Sequence, residues 1–399
     1  MSQAGADIKR KRIPEIDFWR GFALIVILVD HVPRNGLDKF TPKNFGFSDA
    51  AEAFVFLSGV SVSLAYASTL QKAGFWRLVK RCASRAAKLY LVQIAMVACS
   101  VAIPLAVAKI VGDQDILLGD GLSRFVASPV SSLVDAAALA YQPNFSVVLA
   151  LYVVLMLWAP VVIFLASRSP AAALLASIAV YAAGRGRVGE GLDGGWHFNP
   201  FAWQLVFAIG IICALRWRNG LPRPQGRLVV LAVAIILGAA ILSIKAMGLK
   251  TAAAAHLDLD KHDLGVIRLA HFLALAYVMA TVAVVEPWAT HMSRIIGSRI
   301  GRSFQGMGRN SLSFFALGSV ASVGGRSLMA AAYYLAAPHL VVRLIGLVYT
   351  AAVVIGMFAV VHRLHRTATP LRLSAENRNA RAVSMNSLPS GADESAALS

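Results

Sequence analysis

Two side chains able to move a proton and hold an anion, His31 and Arg20, stand eleven positions apart. They bracket the run GFALIVILVD, which is free of charge except for Asp30. Imidazole has the one ordinary side-chain pKa close to neutrality and so suits general-base work. A guanidinium stays charged and meets phosphate or carboxylate with a two-point fork. Eleven helical steps of about 100° return to within about 20° of the starting face, so both side chains share one side of a helix, roughly 16 Å apart along its axis. Asp17 falls about 60° from Arg20 on that side, and Asp30 points elsewhere. Ionisable groups at membrane depth face a bundle interior or a watery cavity, which favours a polar passage. The plainer alternative has Arg20 snorkelling and paired with Asp17, and His31 lying at the interface.

The next apolar run opens with FSDAAEAFVFLSG, which puts Asp49 and Glu52 three positions apart on one helical face. If that segment re-enters from the side where His31 emerges, the carboxylates meet the imidazole at one depth. A carboxylate there can orient the ring and raise its basicity, so His31, Asp49 and Glu52 are expected to form a catalytic set acting on an acceptor hydroxyl. Ser58 lies too far inward to serve as a nucleophile at that depth, and with Gly59 it suits close helix packing. Arg268 and His271 share a face of a later run. They suit a carboxylate or a hydroxyl-bearing ligand, or equally an ion pair with Glu52 or Asp49. Lys261, His262 and Asp263 just outside that run read as solvated loop residues, with Lys261 a further cation for an acyl carboxylate. In GRNSL, Arg309, Asn310 and Ser311 read as a helix entrance whose free N–H groups favour a donor phosphate, or as simple capping. Asn199 and Pro200 suit a helix start. Trp203 and Gln204 behind them suit stacking on, and hydrogen bonding to, a sugar, and an aromatic belt explains the tryptophan equally well.

Such groups need a scaffold, and composition says which. The chain has 399 residues, of which 58% are hydrophobic, with a mean hydropathy of +0.66. It therefore reads as an all-α polytopic membrane protein. Its net charge of +18 comes from short basic clusters between apolar runs, a topology signal rather than a nucleic-acid face. A span needs roughly 20 mostly apolar residues. About ten stretches meet or approach that: 14–34, 49–70, 86–108, 145–166, 170–184, 200–215, 228–247, 264–285, 306–330 and 338–362. With the N-terminus inside, the inner segments hold 24 of the 38 Lys and Arg residues, so an N-in, C-in arrangement is expected. The stretch 71–88, with six basic residues among Phe75, Trp76, Leu78 and Val79, reads as an amphipathic helix on the inner leaflet whose cations also suit an anionic cytosolic ligand. The basic residues at 1–12 form a cytoplasmic tail before a retained first span, and 367–399 read as a disordered tail. The membrane domain is thus 13–366. Cys82, Cys99 and Cys213 are not spaced for a disulfide framework or a zinc site, and no metal or bound cofactor is expected. There is no repeat, Walker loop or dinucleotide fingerprint.

RIPEIDFWRGFALIVILVDHVP, with Arg20 and His31 in place, followed by FGFSDAAEAFVFLSGVSVSLAY, resembles the OpgC family of membrane acyltransferases, related to the broad acyltransferase family 3. The resemblance continues through PNFSVVLALYVVLMLWAP, NPFAWQLVFAIG, DKHDLGVIRLAHFLALAY and GRNSLSFFALG, most of residues 13–325. It implies transfer of an acyl group from a cytoplasmic coenzyme A thioester to a sugar hydroxyl outside. For this family that means succinylation of osmoregulated periplasmic glucans at the bacterial inner membrane. On it, His31 is the catalytic histidine and Arg20 the arginine of the donor channel; the chemistry of the other residues adds Asp17, Arg309 and Ser311 around the donor and Arg268, His271, Trp203, Gln204 and Lys261 around acyl group or acceptor. The implied partners are the bilayer, succinyl-CoA as co-substrate and a periplasmic glucan. Acetyl transfer to a surface polysaccharide is the nearest alternative, and a glycan or anion transporter the non-enzymatic one. The acyl group, the acceptor, the oligomeric state and the route of transfer, direct or through a carrier, stay open.

Overall fold

The computed structural model describes residues 13–113, 116–117, 122–143, 146–185, 196–217, 225–248 and 258–386, and among them it is all helix, with no strand. The elements are α1 (Pro14–His31), α2 (Ala50–Val111), α3 (Ser123–Ala127), α4 (Pro129–Ala137), α5 (Val147–Arg168), α6 (Pro170–Gly184), α7 (Pro200–Arg216), α8 (Gly226–Gly248), α9 (Val266–Val282), α10 (Trp288–Gly297), α11 (Arg299–Arg309), α12 (Ser311–Tyr334) and α13 (His339–Asn386). Each of the ten expected apolar stretches contains helix among its described residues. Four helices, α2, α5, α12 and the His339–Leu364 part of α13, are long and apolar enough to cross a bilayer. The tail expected at 1–12 lies outside the described residues, as does 387–399. The helix α13 runs on past 366 to Asn386, because the Leu, Ala, Arg and Glu residues there are helix formers.

Two boundaries differ from expectation for physical reasons. α2 is bent at Gly74, whose φ of 79° and ψ of 175° are non-helical, so it consists of two arms, 50–73 and 75–111. Arg81 lies over the Tyr66 ring at 5.2 Å and donates to Thr69 Oγ1 at 2.5 Å, whereas twelve residues of straight helix span roughly 18 Å. The chain has therefore doubled back. The segment expected as a separate surface helix is the start of the second arm. Its Leu78, Cys82, Ala86 and Leu89, at helical spacing, are buried in the core, and Trp76 and the basic residues other than Arg85 are exposed. The expected span 306–330 is also split: α11 ends at Arg309, and α12 begins at Ser311 after Asn310.

At the centre the first arm of α2 packs against α5 and α7, burying Leu151, Leu155, Ile163, Trp203 and Phe207. Its crossing with α7 is closed by two glycines: a Cβ on Gly59 would come within 2.1 Å of the Phe207 carbonyl oxygen, and one on Gly210 within 2.2 Å of that of Phe56. A large side chain at either site would force the helices apart, the small-residue contact expected at Ser58 and Gly59. α1 packs against α11, the first arm of α2 and α12, which sets its His31–Arg20 face toward the interior.

Candidate active site

α1 begins cleanly because Pro14 sits where a helix can spare an N–H, and Glu15 and Asp17 complement the exposed N–H groups of its first turn. At its other end the helix stops before Pro33, and His31 Nδ1 lies 2.5 Å from the Ile27 carbonyl oxygen. A carbonyl only accepts, so Nδ1 carries the proton and the lone pair is on Nε2. The ring lines a cavity of about 380 Å³ with Asp30, Lys43, Gln142, His197, Lys261 and Arg326, within the range of ligand sites. Gln142 Oε1 is buried without a partner, and its Nε2 donates to the Leu139 carbonyl. Burial holds the His197 imidazole below its ordinary pKa, with the Lys261 charge acting in the same sense, so it is neutral at pH 7.

Asp49 and Glu52 are placed differently from the expected orienters. They form a capping box at the start of α2: Asp49 Oδ1 accepts from Ala51 N at 2.8 Å, and Glu52 Oε2 accepts from Asp49 N at 2.9 Å. Their other oxygens are taken by cations. Arg268 Nε donates to Glu52 Oε1, an Arg268 terminal nitrogen reaches Asp49 Oδ2 at 2.8 Å, and Lys261 Nζ reaches the same oxygen at 2.5 Å. Glu52 is wholly buried and does not line the His31 cavity, whereas Asp49 does. Of the two readings of Arg268, the ion pair is the one observed. His271, also buried, lies 2.7 Å from Ser48 Oγ through Nδ1 and packs its ring on Gly46, away from the cavity. Trp203 is fully buried, and its Nε1 donates to the Lys261 and His262 carbonyls at 3.0 and 3.2 Å, so it clamps the 258–263 loop while also forming part of the His31 cavity wall. Gln204 turns toward α6 and donates to the Ser177 carbonyl at 2.7 Å. Asp260, His262 and Asp263, whose ligand atoms lie within 4.8 Å of one another, are the grouping among the described residues that could hold a metal. Asp263 there already accepts from Asn199 Nδ2 at 2.8 Å.

Toward the other end of α1, Arg20 donates to Ser311 Oγ at 2.6 Å, and its Nε is buried without a partner. It is not paired with Asp17, which instead meets Arg309 at 3.3 Å. Arg309, the last residue of α11, points outward and also reaches Gln305. It does not join the cavity that Arg20 and Ser311 line with Ser58, Tyr66, Arg85 and Tyr152, about 210 Å³ in volume. Arg85 belongs to the basic stretch 71–88, so its charge was visible in sequence and its arrival beside Arg20 depends on the reversal at Gly74.

The two cavities are not one open passage. Phe54 lines both. It stacks on Phe315, with centroids 5.7 Å apart and planes 16° from parallel, and meets the Tyr152 ring edge-on at 5.6 Å. Tyr152 OH is fixed by the Phe54 carbonyl at 2.9 Å and Ser58 Oγ at 2.8 Å. A crevice of about 20 Å³ between α1 and α12 is lined by His31 and Phe315. A sequence-family model described as OpgC protein matches residues 12–362. Comparison with curated proteins and with solved structures finds no match.

Proposed function

The chain belongs to the OpgC family, whose membership carries an acyltransferase-type role in glucan modification at a membrane, and on that premise we propose that it is an inner-membrane succinyltransferase with His31 as its general base. The observation that carries this reading is the fixed tautomer: His31 donates from Nδ1 to its own helix and keeps Nε2 basic on the wall of a cavity large enough for a sugar. A glucan hydroxyl entering from the periplasm gives its proton to Nε2 as its oxygen attacks the thioester carbonyl. The tetrahedral intermediate collapses with loss of the coenzyme A thiolate, which takes the proton back from imidazolium. Gln142 Oε1 is available to accept a hydrogen bond from a second hydroxyl of the acceptor.

The donor arrives from the cytoplasmic side with its anionic groups at Arg20 and Arg85 and its thin arm between Phe54 and Phe315. Arg20 suits that task because its buried Nε lacks a partner and its terminal nitrogen is held by Ser311. Succinyl in preference to acetyl is supported by the excess of cations around the His31 cavity, where Lys43, Lys261 and Arg326 accompany Asp30 and Asp49. The route requires the Arg20 cavity on the inner side and the His31 cavity on the outer side, the arrangement that an N-in, C-in topology with ten spans would give. His31→Gln, assayed with purified protein, succinyl-CoA and glucan, is expected to lose about 10²–10⁴-fold in transfer rate while inserting and melting as wild type does. Transfer at the wild-type rate would exclude His31 as the base.

A further inference from the structure

Beside the end of α1, and apart from both cavities, lies a crevice of about 410 Å³ between the loop after His31 and the first turns of α13, lined by Arg34, Lys39, Arg343, Leu340, Leu344 and Leu347. The loop is built to stay in place. Buried Asn35 donates to the Val29 and Val32 carbonyls, and its Oδ1 accepts from Leu37 N and Asp38 N. Gly346 of α13 admits the loop backbone, since a Cβ there would lie 3.1 Å from both the Pro33 and Arg34 carbonyl oxygens. Arg34 is held at a φ of 60°, with its guanidinium 5.3 Å from the centre of the Tyr333 ring.

Among the described residues none of the three cations forms an ion pair, and the one carboxylate of the crevice, Asp38, faces Lys43 at 3.5 Å. Three exposed like charges gathered by backbone packing favour an anion, and an anion held there has an apolar wall beside it. Leu340 and Leu344 are 78% and 58% exposed on α13, one turn apart and followed by Leu347, so they form a continuous aliphatic strip. We propose that this crevice binds an anionic glycerophospholipid, its phosphate among Arg34, Lys39 and Arg343 and one acyl chain along Leu340, Leu344 and Leu347. The binding is independent of acyl transfer and of the roles given to His31 and Arg20.

Native mass spectrometry of the detergent-solubilised full chain, titrated with phosphatidylglycerol or phosphatidylcholine, tests it. Phosphatidylglycerol is expected to bind at least tenfold more tightly, and each of Arg34→Gln, Lys39→Gln and Arg343→Gln to weaken it about fivefold. Lys109→Gln, of equal charge change on α2, is expected to leave it unchanged. Lys39 is exposed and makes no core contact, so its variant reads binding even if an arginine variant folds poorly. Equal binding of the two lipids, an unchanged preference in Lys39→Gln, or equal competition by inorganic phosphate would each overturn the assignment.

Discussion

The Ile27 carbonyl four residues back orients His31, so α1 itself helps to set its proton-accepting nitrogen. Asp49 acts on a different bond, since its carboxylate holds Ala51 N, Lys261 and Arg268. The spacing Asp49-x-x-Glu52 ahead of an apolar run is the signature of a capping box, so the structural role was legible in sequence. Sequence offers the Arg268 pairing as one of two readings, whereas the arrival of Lys261, from more than two hundred positions away, was not legible. Arg20 is the residue where geometry and chemistry should separate most clearly. An ammonium lacks the flat fork, so Arg20→Lys is expected to raise the KM for acyl-CoA about tenfold or more with a smaller effect on kcat. Steady-state kinetics with the donor varied at saturating acceptor measures this. An unchanged KM would remove Arg20 from the donor site.

The ion-pair cluster ties α2 to α9 and the phenylalanine pair ties α2 to α12, and these two joints make opposite demands. Glu52 is wholly buried against Arg268, so Arg268→Met leaves a carboxylate without its cation and is expected to cost about 3–5 kcal/mol. Adding Glu52→Gln should recover most of that loss, as thermal unfolding in detergent would show. A single variant as stable as wild type would mean that the pair contributes little. The Phe54–Phe315 partition holds the two cavities apart, and a smaller ring-side residue should let water through. Phe315→Leu is therefore expected to raise thioester hydrolysis without acceptor several-fold while slowing productive transfer. Release of free thiol measures the first, and an unchanged release would deny the partition its sealing role. Sequence gave no sign of the pair, since one aromatic in an apolar helix reads as core and its partner lies on another helix.

Across the whole molecule the apolar stretches were readable because a bilayer imposes length and hydrophobicity on each of them. The joints between them were not, because a bend or a clamp rests on single residues. Trp203, in the wall of the His31 cavity, clamps the loop at Lys261 and His262, a bond no pattern in α7 reveals. The same loop is anchored at its start by Arg185 and Asp258, which meet in a two-point contact at 2.6 and 2.7 Å. That bond holds the Asp258 carboxyl below its ordinary pKa. A carboxylate depressed in the folded state adds stability above its unfolded value of about 3.9 and loses it as pH falls through the lower folded value. The difference in melting temperature between wild type and Asp258→Asn should accordingly be constant from pH 7 to about 5 and vanish under stronger acid. A difference that persists there would assign the effect to something other than the charge. Elsewhere one backbone angle governs how this chain fits its surroundings. The φ and ψ at Gly74 belong to a region open essentially to glycine alone. Unbent, the 62 residues of α2 would make a rod of about 93 Å, some three times the thickness of the hydrocarbon they must inhabit.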